Sequence, residues 1–133
     1  MFQKFVIFGL IVSVISSMVG ASYAYCSYHF LFDFSKTLPI WKIVITYVFL
    51  GLLFSGLYFV VNEFFTNFLL ILNIVVVIIS LLSIIWPIIV NIDEEFPEMF
   101  PSFAIPLHFI FPLFWLALFP HFNKKNSWLN QVY

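Results

Sequence analysis

The stretch "FLLILNIVVVIISLLSIIWPIIV", residues 68–90, determines which kind of fold this chain can form. It contains no charged residue, and its interruptions are Asn73, Ser80, Ser83 and Pro87. A helix needs roughly 20 mostly apolar residues to cross the hydrocarbon core of a bilayer. The stretch therefore predicts a transmembrane helix.

Three further segments extend this prediction to the rest of the chain. Two comparable spans, at residues 5–25 and 40–61, precede residues 68–90 in the chain. A fourth, at residues 103–119, is shorter and interrupted by prolines, so it needs upstream residues or local bilayer thinning to cross. The six residues "NEFFTN", 62–67, allow only a tight helical hairpin. We predict an all-α integral membrane protein in which residues 1–133 form a single domain, a bundle of four transmembrane helices.

The composition agrees with a chain dissolved in lipid. Hydrophobic residues make up 64% of it and the mean hydropathy is +1.13, whereas soluble domains are about 45–50% apolar. A net charge of −1 and the absence of arginine exclude a basic stripe for nucleic acid. The single cysteine, Cys26, excludes an internal disulfide, and no HExxH, P-loop or GxSxG motif is present. We therefore predict no nucleic-acid partner, no metal and no cofactor.

The first span has an alternative interpretation as a secretory signal. Lys4 precedes a long apolar run, and "VGASYA", residues 19–24, places Ala21 and Ala24 before candidate cleavage points. The run is long for a signal, so we favour a retained span. Cleavage of residues 1–24 is the alternative, and it leaves the orientation of the later spans unchanged.

The lysines set the predicted orientation, because cytoplasmic loops carry an excess of positive charge. With both termini cytoplasmic, Lys4, Lys124 and Lys125 lie inside, while Lys36 and Lys42 lie outside. The excess is three to two. We predict this orientation in a plasma or inner membrane.

An acidic stretch, "DEEFPEMFP" at residues 93–101, precedes the last span and lies outside in this orientation. The apolar residues Ile92, Phe96, Met99, Phe100 and Phe103 recur on one helical face. We predict a short amphipathic interfacial segment, limited by Pro97 and Pro101, with a solvated acidic side. The alternative is a partner-docking surface or a cation-attracting mouth. The candidate mouth residues are His29, Asp33, Asp93, Glu94, Glu95 and Glu98.

Small residues form the most regular pattern in the chain. In the first span they are Gly9, Ser13, Ser17, Gly20 and Ala24. Such a stripe lets helix backbones approach closely in lipid, so it predicts a helix–helix seam within this chain or with another subunit. Gly51 and Ser55 form a shorter version in the second span, and Asn73 is predicted to join helices through a hydrogen bond.

Prolines in the last two spans predict a polar level in the outer leaflet. A proline frees the carbonyl four residues before it, so Pro87 frees that of Ser83, Pro112 that of His108 and Pro106 that of Ser102. The candidate pocket residues at this level are His108, Ser83, Thr46, Tyr47 and Ser17. A structural role is the simpler interpretation of His108, although an ionisable group inside a membrane is also a functional hypothesis.

Three hypotheses for function follow. The favoured one is a non-enzymatic accessory or scaffold subunit of a larger membrane complex, whose partners are the bilayer and other membrane subunits or a second copy of itself. The first alternative is a small oligomeric proton or cation channel or transporter that uses the pocket around His108. The second is a haem- or metal-binding membrane protein that uses His29 and His108 as ligands.

Overall fold

A computed structural model describes residues 2–90 and 97–123 of the chain, and in these residues every regular element is helical. The α-helices are α1 (Phe2–Phe30), α2 (Ile40–Phe64), α3 (Leu69–Ser83), α4 (Ile85–Ile89) and α5 (Phe100–Asn123). Single 3₁₀ turns, Thr66–Phe68 and Pro97–Met99, precede α3 and α5.

The helices form four segments that are long and apolar enough to cross a membrane. They cover Phe2–Phe30, Ile40–Phe64, Thr66–Ile89 and Pro97–Phe122. This confirms the prediction of an all-helical chain with four membrane-compatible helices.

The fourth segment begins earlier than the sequence predicted. Pro101 was expected to end a separate surface element, but it lies in the first turn of α5. A proline is tolerated there because the first N–H groups of a helix have no partner within the helix. Phe100 and Phe103 consequently pack inward, with ring centroids 5.4 and 5.3 Å from that of Phe34. Residues 92–96 of the predicted amphipathic segment lie outside the described residues.

Helix α1 is the centre of the packing. It contacts both α2 and α5, and 44% of its most apolar window is buried, the largest share among the four segments described. Toward its N-terminus the core is aromatic: Phe8 packs against Trp115 with centroids 4.9 Å apart and stacks on Phe122 at 4.6 Å. Edge-to-face and offset rings add favourable contacts beyond the area they bury.

The third segment is interrupted and only loosely covered. Helix α3 ends at Ser83, the amide of Ile84 bonds to the carbonyl of Leu81 at 3.3 Å, and α4 follows with Pro87 inside it. This break agrees with the missing N–H of proline. Within α3 the buried residues are Val76 and Ser80.

Candidate functional site

The small residues of α1 and α2 meet face to face. A Cβ added to Gly9 would collide with the Ser55 hydroxyl and the Gly51 carbonyl, and one added to Gly51 would collide with Ser13. The two backbones therefore lie so close together that neither glycine position has room for a side chain. We call this contact of Gly9, Ser13, Gly51 and Ser55 the α1–α2 seam.

Reciprocal hydrogen bonds cross the α1–α2 seam. Ser13 of α1 donates to the Tyr47 carbonyl of α2 at 2.9 Å, and Ser55 of α2 donates to the Phe5 carbonyl of α1 at 2.8 Å. Each hydroxyl also lies within 2.8 Å of a carbonyl in its own helix, Gly9 for Ser13 and Gly51 for Ser55. The buried hydroxyls are thus satisfied while they join the helices.

The stripe continues toward the C-terminal end of α1, with one change from the sequence pattern. Gly20 and Ala24 are buried, and a Cβ on Gly20 would lie 2.7 Å from the Tyr47 ring. Ser16 is fully buried where the pattern had placed Ser17, which is only partly buried. Both residues fit between Ser13 and Gly20, since helical neighbours lie three or four positions apart.

Two tyrosines join α5 to α1 and α2 by hydrogen bonds to its backbone carbonyls. Tyr47 of α2 donates to the Leu107 carbonyl at 2.7 Å. Tyr23 of α1 donates to the Phe103 carbonyl at 2.9 Å and lies 3.4 Å from that of Ser102, which Pro106 leaves without its helical donor. Sequence reasoning missed Tyr23, although the freed carbonyl of Ser102 was a signal that a donor was needed.

A side-chain hydrogen bond joins α2 to α3. Tyr58, fully buried, donates to the amide oxygen of Asn73 at 2.7 Å. Asn73 therefore lies where the sequence placed it, between helices, and its partner is an aromatic hydroxyl.

A cavity of about 570 Å³ lies between α2, α3, α4 and α5. Four of the five predicted pocket residues line it, namely Thr46, Tyr47, Ser83 and His108, and Ser80 joins them. Ser17 does not line this cavity. The remaining lining consists of 14 apolar side chains and Trp86, so the cavity has a polar portion within an apolar wall.

His108 and two serines form a hydrogen-bonded chain at the polar portion. The Ser83 hydroxyl donates to the Ser80 carbonyl at 2.7 Å, and its oxygen lies 3.1 Å from Nδ1 of His108. A hydroxyl has one proton; with that proton on the Ser80 carbonyl, the tautomer of His108 that completes the chain has its hydrogen on Nδ1. The neutral imidazole then leaves Nε2 as an acceptor, and no residue that the structure describes donates to it.

The candidate mouth residues are only partly described. His29 is exposed in the last turn of α1 with its ring 4.4 Å from that of Tyr25, and it is not among the residues that line the cavity. Asp33 is exposed and accepts from the Ser35 amide at 2.9 Å; hydrogen bonds from Ser35 lower the pKa of this carboxyl. Glu98 is exposed in the 3₁₀ turn before α5. Asp93, Glu94 and Glu95 lie outside the described residues, as do Lys124 and Lys125.

Comparison with known proteins gives no relative for this arrangement. No protein-family model matches the chain, and no curated protein or solved structure is significantly similar to it. Across residues 2–90 and 97–123, no three His, Cys, Asp or Glu side chains are grouped so that they could hold a metal ion.

Proposed function

We propose that this chain is a non-enzymatic accessory subunit of a membrane complex, and that its own contribution is to hold a lipid-like molecule in the cavity. One observation carries the proposal: a cavity of about 570 Å³ whose wall is mostly apolar and in which hydrogen bonds join Ser80, Ser83 and His108. Ligand sites commonly have volumes of about 300–1,000 Å³, apolar walls and a few convergent polar groups.

Several other buried polar groups are already used in helix packing. Ser13 and Ser55 join α1 to α2, Tyr47 fastens α5, and Tyr58 holds Asn73. Such hydrogen bonds stabilise helix packing in lipid. Nε2 of His108 is an acceptor in the cavity wall for which the described residues provide no donor.

A proton or cation channel is the weaker candidate. A charged species at membrane depth needs a polar or water-filled path, because an unpaired charge in an apolar medium is costly. The cavity wall has 14 apolar side chains and contains no acidic residue among those described. This lining favours an amphipathic ligand over an ion.

A photoreactive lipid tests the binding proposal. The probe is a long-chain alcohol with a diazirine in the chain and a terminal alkyne, applied to the full chain in nanodiscs. We expect labelled peptides from the α2 and α3 walls of the cavity. Both Ile78 and Ile79 are exposed, but only Ile79 is among the residues that line the cavity, so Ile79→Trp should reduce this labelling and Ile78→Trp should not. Equal labelling of both variants and the unmodified protein would contradict the proposal.

The accessory role needs a separate experiment. Cross-linking in native membranes followed by purification in mild detergent should recover another membrane protein in a fixed ratio to this chain. Recovery of this chain alone, or of a homo-oligomer only, would contradict that part of the proposal.

The proposed orientation has both termini in the cytoplasm of a plasma or inner membrane. Glu63, in the last turn of α2, should then lie inside and Glu98 outside, and both are exposed. In a Cys26→Ser background, an impermeant maleimide should label Glu98→Cys in intact cells and leave Glu63→Cys unlabelled. The reverse pattern would invert the orientation.

We also propose that α1 is retained. Removal of residues 1–24 would take away Gly9 and Ser13 and leave the facing surface of α2 without its partner. The intact mass of the protein from native membranes should therefore include the first helix, and a mature N-terminus near residue 22 or 25 would contradict this.

A further inference from the structure

The hydroxyl donors of the cavity wall are already in use. Thr46 donates to the Lys42 carbonyl at 2.7 Å, and Tyr47 to the Leu107 carbonyl at 2.7 Å. Ser80 donates to the Val76 carbonyl at 2.8 Å.

The donors around His108 are likewise already used in hydrogen bonds. Ser83 donates to the Ser80 carbonyl, and Nδ1–H of His108 donates to Ser83. Each hydroxyl has one proton and two lone pairs, and a neutral imidazole has one donor and one acceptor. The hydroxyl and imidazole groups that line the cavity therefore offer acceptors only, and the indole N–H of Trp86 is the remaining side-chain donor in the wall.

We infer that the cavity selects a lipid whose head group donates a hydrogen bond, in the form of a neutral hydroxyl, and that Nε2 of His108 is its principal acceptor. This inference rests on the proposed function, since it specifies the ligand of the same cavity. A ketone, ester or ether head has lone pairs alone and would face lone pairs at the hydroxyls and at His108, with the Trp86 indole N–H as the one side-chain donor among the described lining residues. A buried polar group without a partner is unfavourable, so such heads are disfavoured.

The wall also distinguishes a neutral donor from a charged one. A long-chain ammonium would present donors to the same acceptors, but its charge would enter an apolar cavity. The described lining residues include no carboxylate to pair with it. An unpaired buried charge is much more costly than a neutral hydroxyl, and a neutral alcohol therefore fits this wall better than an amine.

The test compares three lipid head groups that are attached to the same alkyl chain. A long-chain primary alcohol, its methyl ether and the corresponding amine each compete with the photoreactive alcohol for the full chain in nanodiscs. The buffer is kept above the ordinary histidine pKa of about 6.5. We expect the alcohol to compete at about three- to tenfold lower concentration than the ether, the size of one net hydrogen bond. The amine should also compete less well than the alcohol.

Two measurements connect this preference to His108. The variant His108→Phe should lose most of the discrimination between alcohol and ether, whereas Thr46→Val should keep most of it, since Thr46 offers a weaker hydroxyl acceptor. Nitrogen-15 NMR of the unmodified protein should show the hydrogen on Nδ1 of His108, and this result does not depend on the folding of any variant.

The outcomes separate the two proposals. Specific labelling with equal competition by alcohol and ether, stronger competition by the amine, or a hydrogen on Nε2 would overturn the head-group inference and leave the binding function standing. Absence of specific labelling of the cavity would overturn both.

Discussion

The two interfaces of α2 show opposite ways of placing a helix in lipid. At the α1–α2 seam the side chains are small, the backbones nearly touch and hydroxyls donate in both directions. On its other side, α2 meets α3 through the bond from Tyr58 to Asn73, and a cavity lies between them. The window of the third segment has the highest mean hydropathy, 3.1, yet only 11% of it is buried.

This contrast agrees with the principle that apolar character does not drive helix association in a bilayer. Lipid tails are as apolar as leucine or valine, so burial of those side chains against another helix brings no transfer gain. Close backbone approach and interhelical hydrogen bonds provide the stabilisation instead. The segment with the highest mean hydropathy is therefore the one with the smallest buried share among the four described.

The largest expected effect is at the α1–α2 seam. Gly51→Ala should destabilise the fold by about 1–3 kcal/mol, since a forced methyl group in a packed contact costs roughly that much. The added carbon would lie 2.6 Å from the Gly9 carbonyl oxygen. Gly56→Ala is the matched control in the same helix, because a Cβ there meets no atom within 4 Å. Reversible unfolding in mixed detergent micelles measures both, and an equal loss at Gly51 and Gly56 would contradict the close approach.

The serine bonds across the same seam should have the next largest effect. Ser13→Ala and Ser55→Ala should each lower the free energy of unfolding by about 0.6 kcal/mol, with an upper value of about 1.7 kcal/mol for hydrogen bonds between membrane helices. Ser17→Ala should cost less, since the Ser17 hydroxyl has no hydrogen-bond partner within the residues described. A larger loss of unfolding free energy for Ser17→Ala than for Ser13→Ala would mean that Ser17 belongs to the packed stripe, as the sequence pattern predicted.

The sequence predicted the fold better than the site for an identifiable reason. Span length and apolar content depend on composition alone, so four membrane-compatible helices were predictable. The spacing of small residues indicated Gly9 and Ser13, and separately Gly51 and Ser55, as packing positions, but the structure was needed to show that the two sets face each other. Whether Ser16 or Ser17 is buried depends on where the two neighbouring helices lie, and the spacing of residues along one helix does not give those positions.

The pocket shows the same limit. Prolines indicated which carbonyls lose their donors, and this placed Ser83 and His108 at one level. The sequence did not show that the hydroxyls of Thr46, Tyr47 and Ser83 would each donate to a backbone carbonyl. That pattern depends on rotamers and on the bend after Ser83, and it determines which ligand the cavity can accept.

The bond between α2 and α3 should have a smaller effect on overall stability than the seam, but a clear effect on the position of α3. Tyr58→Phe removes the donor to Asn73 and should lower the free energy of unfolding by about 0.6 kcal/mol. Spin labels on the exposed residues Phe49 and Ile78 should show a broader distance distribution in this variant. Tyr25→Phe, on an exposed position of α1, is the control. An unchanged distribution in Tyr58→Phe would mean that other contacts hold α3.

The smallest expected effect is at the cavity itself. Val76 is buried and lines the cavity, so Val76→Leu adds a methylene where space exists. We expect no loss of stability, and filling of empty volume can add roughly 0.5 kcal/mol or more. Val12→Leu makes the same change at a fully buried position of α1 that does not line the cavity. Overpacking of that kind costs about 1–3 kcal/mol.

If unfolding in micelles gave equal losses for Val76→Leu and Val12→Leu, the α2–α3 interface would be as tightly packed as the core, and the contrast between the two sides of α2 would disappear. A neutral Val76→Leu that also weakens labelling by the photoreactive alcohol would show that the space beside α3 is kept for a ligand.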